Sequence, residues 1–184
     1  YAPNFGYAGF ISALADITNI TGCNVSGGSI SAEMTLATNP VILGGITGCF
    51  EDLFYEFIAD NGNPYNMTIG AGSDYGIYDC SVNTTITSAA NNTYAAGIVG
   101  MTCTDYWDAA NSTGVACEIS NCFFGGELSA TGTYGTVAGI SRWDEPEDKI
   151  TDCIVTATLT APTKVSPLCE QPETVTNSYY LTTE

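Results

Sequence analysis

The sequence predicts an all-β chain, a parallel β-solenoid (β-helix) of about four to five irregular coils with one short helical insertion. Two recurring phrases, and the uneven distances between them, lead to that reading. An apolar glycine phrase appears as AGFIS from Ala8, GGITG from Gly44, AGIVG from Ala96 and AGIS from Ala138. A cysteine phrase with alternating apolar residues appears as GCNVSGGSI from Gly22, DCSVNTTI from Asp79, NCFFGGEL from Asn121 and DCIVTATL from Asp152. A fifth copy, NSYYLTTE from Asn177, closes the chain with Ser178 where the others carry cysteine.

Ala8 to Cys23 and Ala138 to Cys153 each span 15 residues, Ala96 to Cys122 spans 26 and Gly44 to Cys80 spans 36. In the other direction Cys80 to Ala96 and Cys122 to Ala138 each span 16, and Cys23 to Gly44 spans 21. The minimal unit is 15 plus 16, or 31 residues. The surplus is expected to leave the stack as insertions at 49–79 and 101–120, since insertions on one face of a repeat array often build its binding surface. The whole of 1–184 reads as a single domain.

Each element follows from its residues. In CSVNTTITS, the residues Cys80, Val82, Thr84, Ile86 and Ser88 alternate with Ser81, Asn83, Thr85 and Thr87. Cys153, Val155, Ala157, Leu159 and Ala161 fall in the same phase. Period two places one set in the core and the other on the surface. The glycine phrases read as short buried strands whose glycines allow close backbone approach at a corner. From Cys49, CFEDLFYEFIAD carries Leu53, Phe54, Phe57 and Ile58 among acidic residues, an amphipathic pattern of two to three turns ended by Pro64. Pro162, Pro167 and Pro172 make 160–174 a loop, and the strand from Tyr179 caps the array or feeds a further coil.

Composition narrows the function. The net charge of −17 comes from 20 acidic residues against three basic ones, Arg142, Lys149 and Lys164. Such a surface repels phosphate backbones and anionic lipids, which argues against nucleic-acid and membrane-surface partners. No apolar run reaches the length of a membrane span. The chain begins at Tyr1, as expected of a mature or excised piece of a longer protein. Eight cysteines and many Asn, Thr and Ser residues point to an extracellular or cell-surface location. Glycan acceptor sequences stand at Asn19, Asn24, Asn66, Asn83, Asn91 and Asn111.

The combined pattern of a GGI-x-G phrase followed by I-x-N/D-C-x-V-x-G-x-I resembles the GLUG-type repeat of large bacterial surface proteins, among them adhesins, haemagglutinin-like proteins and immunoglobulin A protease-like proteins. It is carried by Gly44 to Gly48 with Ile77 to Ile86, by Ala96 to Gly100 with Ile119 to Leu128, and by Ala138 to Ser141 with Ile150 to Leu159. The resemblance implies a stalk or binding surface whose catalytic partner, where one exists, lies in another domain. The loop lengths and the additional cysteines depart from that pattern.

Cys23, Cys80, Cys122 and Cys153 occupy one repeat position. Stacked about 4.8 Å apart, they form either a disulfide ladder or a column of buried thiols. Cys103 and Cys117 bracket a loop and are the preferred disulfide. Closing ~15 residues contributes roughly 3 kcal/mol in the chain-entropy model. Cys49 and Cys169 are left to pair with each other or with the column.

Chemistry is sparse. The chain has no histidine, which removes the commonest general base and metal ligand. No zinc-protease, phosphate-loop or nucleophile-elbow motif is present. A calcium site is conceivable at Asp144, Glu145, Glu147 and Asp148, and no other cofactor is implied. Trp107 with Tyr106, and Trp143, offer a surface for a ligand such as a sugar ring. The leading expectation is a non-enzymatic extracellular structural or adhesive β-solenoid: a stalk, a binding surface, or a subunit of a surface assembly or filament. Its partners would be a protein or glycan, with head-to-tail self-association through its open ends. The alternative is a polysaccharide-binding or polysaccharide-hydrolysing β-helix using Asp105 and Asp108 beside Trp107, or Asp144 and Glu145 beside Trp143.

Overall fold

The computed structural model describes residues 6–16, 18–33, 40–51, 75–103, 117–143, 148–170 and 175–182. Among these the chain is all β, with every strand pair parallel and no helix. Strands recur in sets of four. The first set is β1 (Gly6–Gly9), β2 (Ser12–Asp16), β3 (Asn19–Thr21) and β4 (Asn24–Ala32). The second is β5 (Val41–Gly44), β6 (Thr47–Glu51), β7 (Tyr75–Tyr78) and β8 (Ser81–Ser88), and the third is β9 (Asn92–Ala96), β10 (Val99–Cys103), β11 (Cys117–Ser120) and β12 (Phe123–Ala130). The fourth is β13 (Tyr134–Ala138), β14 (Ser141–Trp143) and β15 (Lys149–Thr151), with its last position divided into β16 (Ile154–Val155) and β17 (Thr158–Thr160). The fifth is β18 (Lys164–Ser166), β19 (Val175–Thr176) and β20 (Tyr179–Tyr180), with a single Ser141–Cys169 bridge in its second position.

Each position in the set belongs to its own sheet. The first sheet is ordered β1-β5-β9-β13-β18, the second β2-β6-β10-β14, the third β3-β7-β11-β15-β19 and the fourth β4-β8-β12-β16-β20, with β17 also on β12. Each set of four thus adds one strand to every sheet, about 4.8 Å further along. This order is compatible with the parallel solenoid that the repeats predict.

Burial follows the expected alternation. In β8, Val82, Thr84, Ile86 and Ser88 are buried and Asn83 is exposed. Neighbouring copies align, so Val25, Val82, Phe124 and Val155 share one core column and Ile30, Ile86, Leu128 and Leu159 another. A smaller cluster of Ile42, Cys49 and Met101, backed by Tyr7, Leu14 and Tyr94, is built from the first two sheets alone. At its far end Arg142, 5% exposed, lies over the Tyr94 ring at 4.9 Å and donates from Nε to Thr136 Oγ1 at 2.6 Å. Glu170 pairs with Arg142 and, at 2.8 Å, with Lys164.

The glycine phrase is not one strand. It spans the end of a first-sheet strand, a sharp bend and the start of a second-sheet strand. The bend presses inward against the fourth sheet. A Cβ on Gly97 would lie 2.2 Å from the Phe124 ring and 2.2 Å from the Gly139 carbonyl. The last glycine of the phrase serves a second close approach. A Cβ on Gly48 would sit 2.7 Å from the Ala8 amide nitrogen, and one on Gly100 2.7 Å from the Leu43 carbonyl. The second sheet therefore lies directly on the backbone of the first.

The residue before each cysteine turns the chain from the third sheet into the fourth. Gly22, Asp79, Asn121, Asp152 and Asn177 all have positive φ, from 49° to 66°. Asn and Asp enter this region more readily than other L residues, which explains why only Gly, Asp and Asn occur there. The stacked side chains also bond along the column: Asn121 Nδ2 donates to Asp79 Oδ1, and Asn177 Nδ2 to Asp152 Oδ1.

Two sequence expectations change, and a third falls outside the described residues. Residues 49–51, 75–78, 101–103 and 117–120 are strand, so the insertions reduce to 52–74 and 104–116. The repeat phrases centre on two of the corners and take in only the start of the second-sheet strands and the isoleucine of the third-sheet strands, Ile77, Ile119 and Ile150. The proline segment 160–174 contains β18, a three-residue edge strand on β13 flanked by Pro162 and Pro167, positions that cost no ladder bond. The helix expected after Cys49 falls on 52–74, outside the described residues.

Crowding and backbone strain separate at two glycines. Gly97→Ala is expected to destabilise by about 3 kcal/mol, through overpacking against Phe124 and backbone. Gly22→Ala, whose Cβ would meet nothing within 4 Å, is expected to cost about 1 kcal/mol, from positive φ alone. Urea unfolding of both variants measures the difference; equal losses would contradict this account of the bend.

Candidate functional site

The chain's length varies most at the corner from the second sheet to the third; the fourth-to-first connection varies less, with eight residues after β4 and three in each later repeat. In the first repeat the second-to-third corner is short, with β2 ending at Asp16 and β3 beginning at Asn19. In the second, third and fourth repeats, 52–74, 104–116 and 144–147 lie between the strands. The first-to-second and third-to-fourth connections hold two residues in each repeat. Both long insertions therefore leave from the same edge of neighbouring strands.

Asp148 anchors this corner. It is 6% exposed. Its Oδ1 accepts from the Cys117 amide at 2.9 Å, and its Oδ2 accepts from the buried Thr102 hydroxyl. The carboxylate thus joins β10 and β11, the two strands that flank 104–116, and satisfies two buried donors that the insertion would otherwise leave without a regular partner. Asp148, one of the four residues of the expected calcium site, accepts both of these hydrogen bonds. Asp144, Glu145 and Glu147 lie outside the described residues. Among the described residues, no group of three or more Cys, Asp or Glu side chains is arranged to hold a metal ion.

Trp107, Tyr106, Asp105 and Asp108 also lie outside the described residues. Trp143 closes β14, and its backbone pairs with Met101. Of the glycan acceptors, Asn24 and Asn83 are exposed on the fourth sheet, Asn91 is half-buried, and Asn19 accepts from the Gly76 amide at 3.1 Å. Asn66 and Asn111 fall on the undescribed segments.

Neither preferred disulfide is formed as expected. Cys103 and Cys117 do stand at the two sides of one corner, but Cys117 is a free thiol, 3% exposed and packed in the main core. Burial pushes its pKa well up, and the Asp148 charge pushes it further. Cys49 and Cys169 are not brought together. Cys49 aligns with Met101 and Trp143, and Cys169 bridges Ser141. Three strand steps of about 4.8 Å separate their repeats, beyond the roughly 7 Å that a disulfide spans between Cα atoms.

The four repeat-position cysteines are free thiols turned toward the third-to-fourth corner. The Cys80 thiol donates to the Tyr78 carbonyl at 3.2 Å, Cys122 to Ser120 at 3.3 Å and Cys153 to Thr151 at 3.3 Å. Ser178 does the same to Thr176 at 3.0 Å. Each side chain closes the turn made by the positive-φ residue before it. A small side chain able to donate is what this position demands, which is why serine replaces cysteine in the fifth repeat. The signal for this role, a Gly/Asp/Asn–Cys/Ser pair, is visible in the sequence once the left-handed turn is known.

No protein-family model, curated protein or solved structure matches the chain. The site is therefore defined by its own geometry: an acidic chain of stacked strands with its long insertions on one corner.

Asp148→Ala is expected to destabilise by about 3 kcal/mol, because it leaves the Thr102 hydroxyl and Cys117 amide buried without their acceptor. Asp148→Asn is expected to cost about 1–2 kcal/mol, since one amide oxygen can still accept. Thermal unfolding with and without calcium is the check. A loss seen only in calcium would make Asp148 a ligand instead. In the folded protein Cys117 should resist iodoacetamide at pH 8 and react on unfolding, which mass spectrometry of the alkylated peptide reads directly.

Proposed function

We propose that this chain is a parallel β-solenoid of the GLUG-type repeat class, and that it works as a non-enzymatic extracellular scaffold displaying its insertions to a protein or glycan partner. The observation that carries the reading is the common origin of 52–74 and 104–116 at one corner of adjacent repeats. A rigid stack fixes the spacing of their roots at one strand step, so the two insertions start side by side. Tyr55, Tyr65, Tyr106 and Trp107 supply them with aromatic side chains, which give large contact area at low entropic cost.

The ends support a role in a larger assembly. Ile46 and Val137 are fully buried, whereas their end-repeat counterparts Ile11 and Val165 are 51% and 43% exposed. A second copy stacked head to tail would cover both, and such a contact extends into a filament when it does not close.

The decisive experiment replaces 52–74 and 104–116 with short corners copied from the first repeat. The expected outcome is a variant that keeps its β circular dichroism and cooperative unfolding but loses binding on glycan and surface-protein arrays. Binding retained after both deletions would place the partner surface elsewhere. Turnover of a polysaccharide by the intact chain would overturn the non-enzymatic reading. Light scattering against concentration tests the end contact.

A further inference from the structure

The cysteine column has a property that display of the insertions does not use. The residues after each cysteine pair in register, Asn24 with Ser81, Ser81 with Phe123 and Phe123 with Ile154. The Ser81, Phe123 and Ile154 amides donate to the Cys23, Cys80 and Cys122 carbonyls at 2.8, 2.9 and 2.9 Å. These rungs hold successive cysteine Cα atoms about one strand spacing apart, roughly 4.8 Å, inside the range a disulfide accepts. The thiols of Cys23 and Cys80 shift each other's pKa, as groups in neighbouring positions do. Access is one-sided: Cys80, Cys122 and Cys153 are at most 2% exposed, while Cys23 in the end repeat is partly open.

We infer that Cys23 and Cys80 form a redox-active dithiol that a small-molecule disulfide closes to a disulfide bond. The Cys23 sulfur attacks one sulfur of the oxidant RS–SR, giving a Cys23–SR mixed disulfide and releasing RS⁻, which takes up the Cys23 proton. The Cys80 sulfur then attacks the Cys23 sulfur. The bond to SR breaks, the Cys23–Cys80 bond forms, and the second RS⁻ leaves with the Cys80 proton. Two thiols lose two electrons and two protons, and one RS–SR becomes two RSH.

Cys80 is suited to the second step. The neighbouring Cys122 thiol holds the Cys80 pKa below the usual thiol range, against the opposing effect of burial. Burial raises the Cys23 thiol, so the first step is the slow one. The bond would tie the first repeat to the second across 57 residues that include the 52–74 insertion. Cys122 and Cys153 lie deeper and stay reduced after a small oxidant has closed the first pair.

The test treats the whole reduced protein, under native conditions, with oxidised glutathione, then alkylates remaining thiols with iodoacetamide and maps the peptides by mass. The expected product is a Cys23–Cys80 linked peptide, two hydrogens lighter than its parts, with Cys122 and Cys153 alkylated after denaturation. In Cys80→Ser, glutathione should remain on Cys23, whereas wild type retains none. Ser178 already fills the equivalent position, so the variant suits the corner. Alkylated Cys23 and Cys80 after oxidation, glutathione persisting on wild-type Cys23, or a Cys80–Cys122 link would each overturn the inference. The wild-type map alone decides the matter if the variant fails to fold.

Discussion

The hydrogen-bonded spacing between parallel strands governs this protein. Every repeat lies one strand step from the next, in register, so each residue meets its counterparts at about 4.8 Å. A position therefore has to suit a column of similar residues and not merely its own surroundings. Valine, isoleucine, leucine and phenylalanine satisfy this in the core, where Val82, Phe124 and Val155 stack directly. At the inward bends of the three middle repeats glycine does, because the Gly45, Gly97 and Gly139 backbones already touch that same column, whereas the first and fifth repeats carry Phe10 and Pro167 there. Asp and Asn satisfy it at the left-handed corner by alternating, so that an amide can donate to a carboxylate and like charges do not adjoin.

The same constraint decides where the chain can grow. The glycine bend is closed by backbone contact, and the left-handed corner by its thiol and its stacked polar ladder. An added residue at either would break a column that runs through neighbouring repeats. The corner between the second and third sheets carries no such column. There a single buried carboxylate, Asp148, holds β10 to β11, and the segment between the strands is free to vary in length without disturbing the stack.

Much of this was legible in the sequence because columns leave repeats. The cysteine phrase marked the entry to the fourth sheet, and period-two alternation separated Val82 and Ile86 from Asn83 correctly. The glycine phrase was harder to read: Gly44 and Gly48 look like parts of one strand until the bend between them is seen. Strands β7 and β11 are short and follow insertions of different length, so only an isoleucine three residues before the cysteine, Ile77 and Ile119, announces them. The calcium expectation for Asp148 came from four acidic residues that crowd together in sequence, a local signal unrelated to its observed role. Its partners, the Thr102 hydroxyl and the Cys117 amide, come from another repeat and leave no local pattern. The cysteines invited pairing by proximity in the chain, whereas the fold sorts them by sheet. Cys49 and Cys169 share a sheet but stand three repeats apart.

Charge shows what the stack leaves to its surface. Only three basic residues offset 20 acidic ones, and two of the three, Arg142 and Lys164, converge on Glu170. Arg142 stands where Gly48 and Gly100 stand in earlier repeats. Its side chain fills, between the first two sheets, space that ends beyond the last full repeat. A buried guanidinium there needs both the Tyr94 ring and the Glu170 carboxylate, because an uncompensated buried charge is costly. The chain's positive charge is thus concentrated at the closing end of the stack instead of being spread over its acidic surface. That surface keeps its negative potential, set by an excess of 17 negative charges.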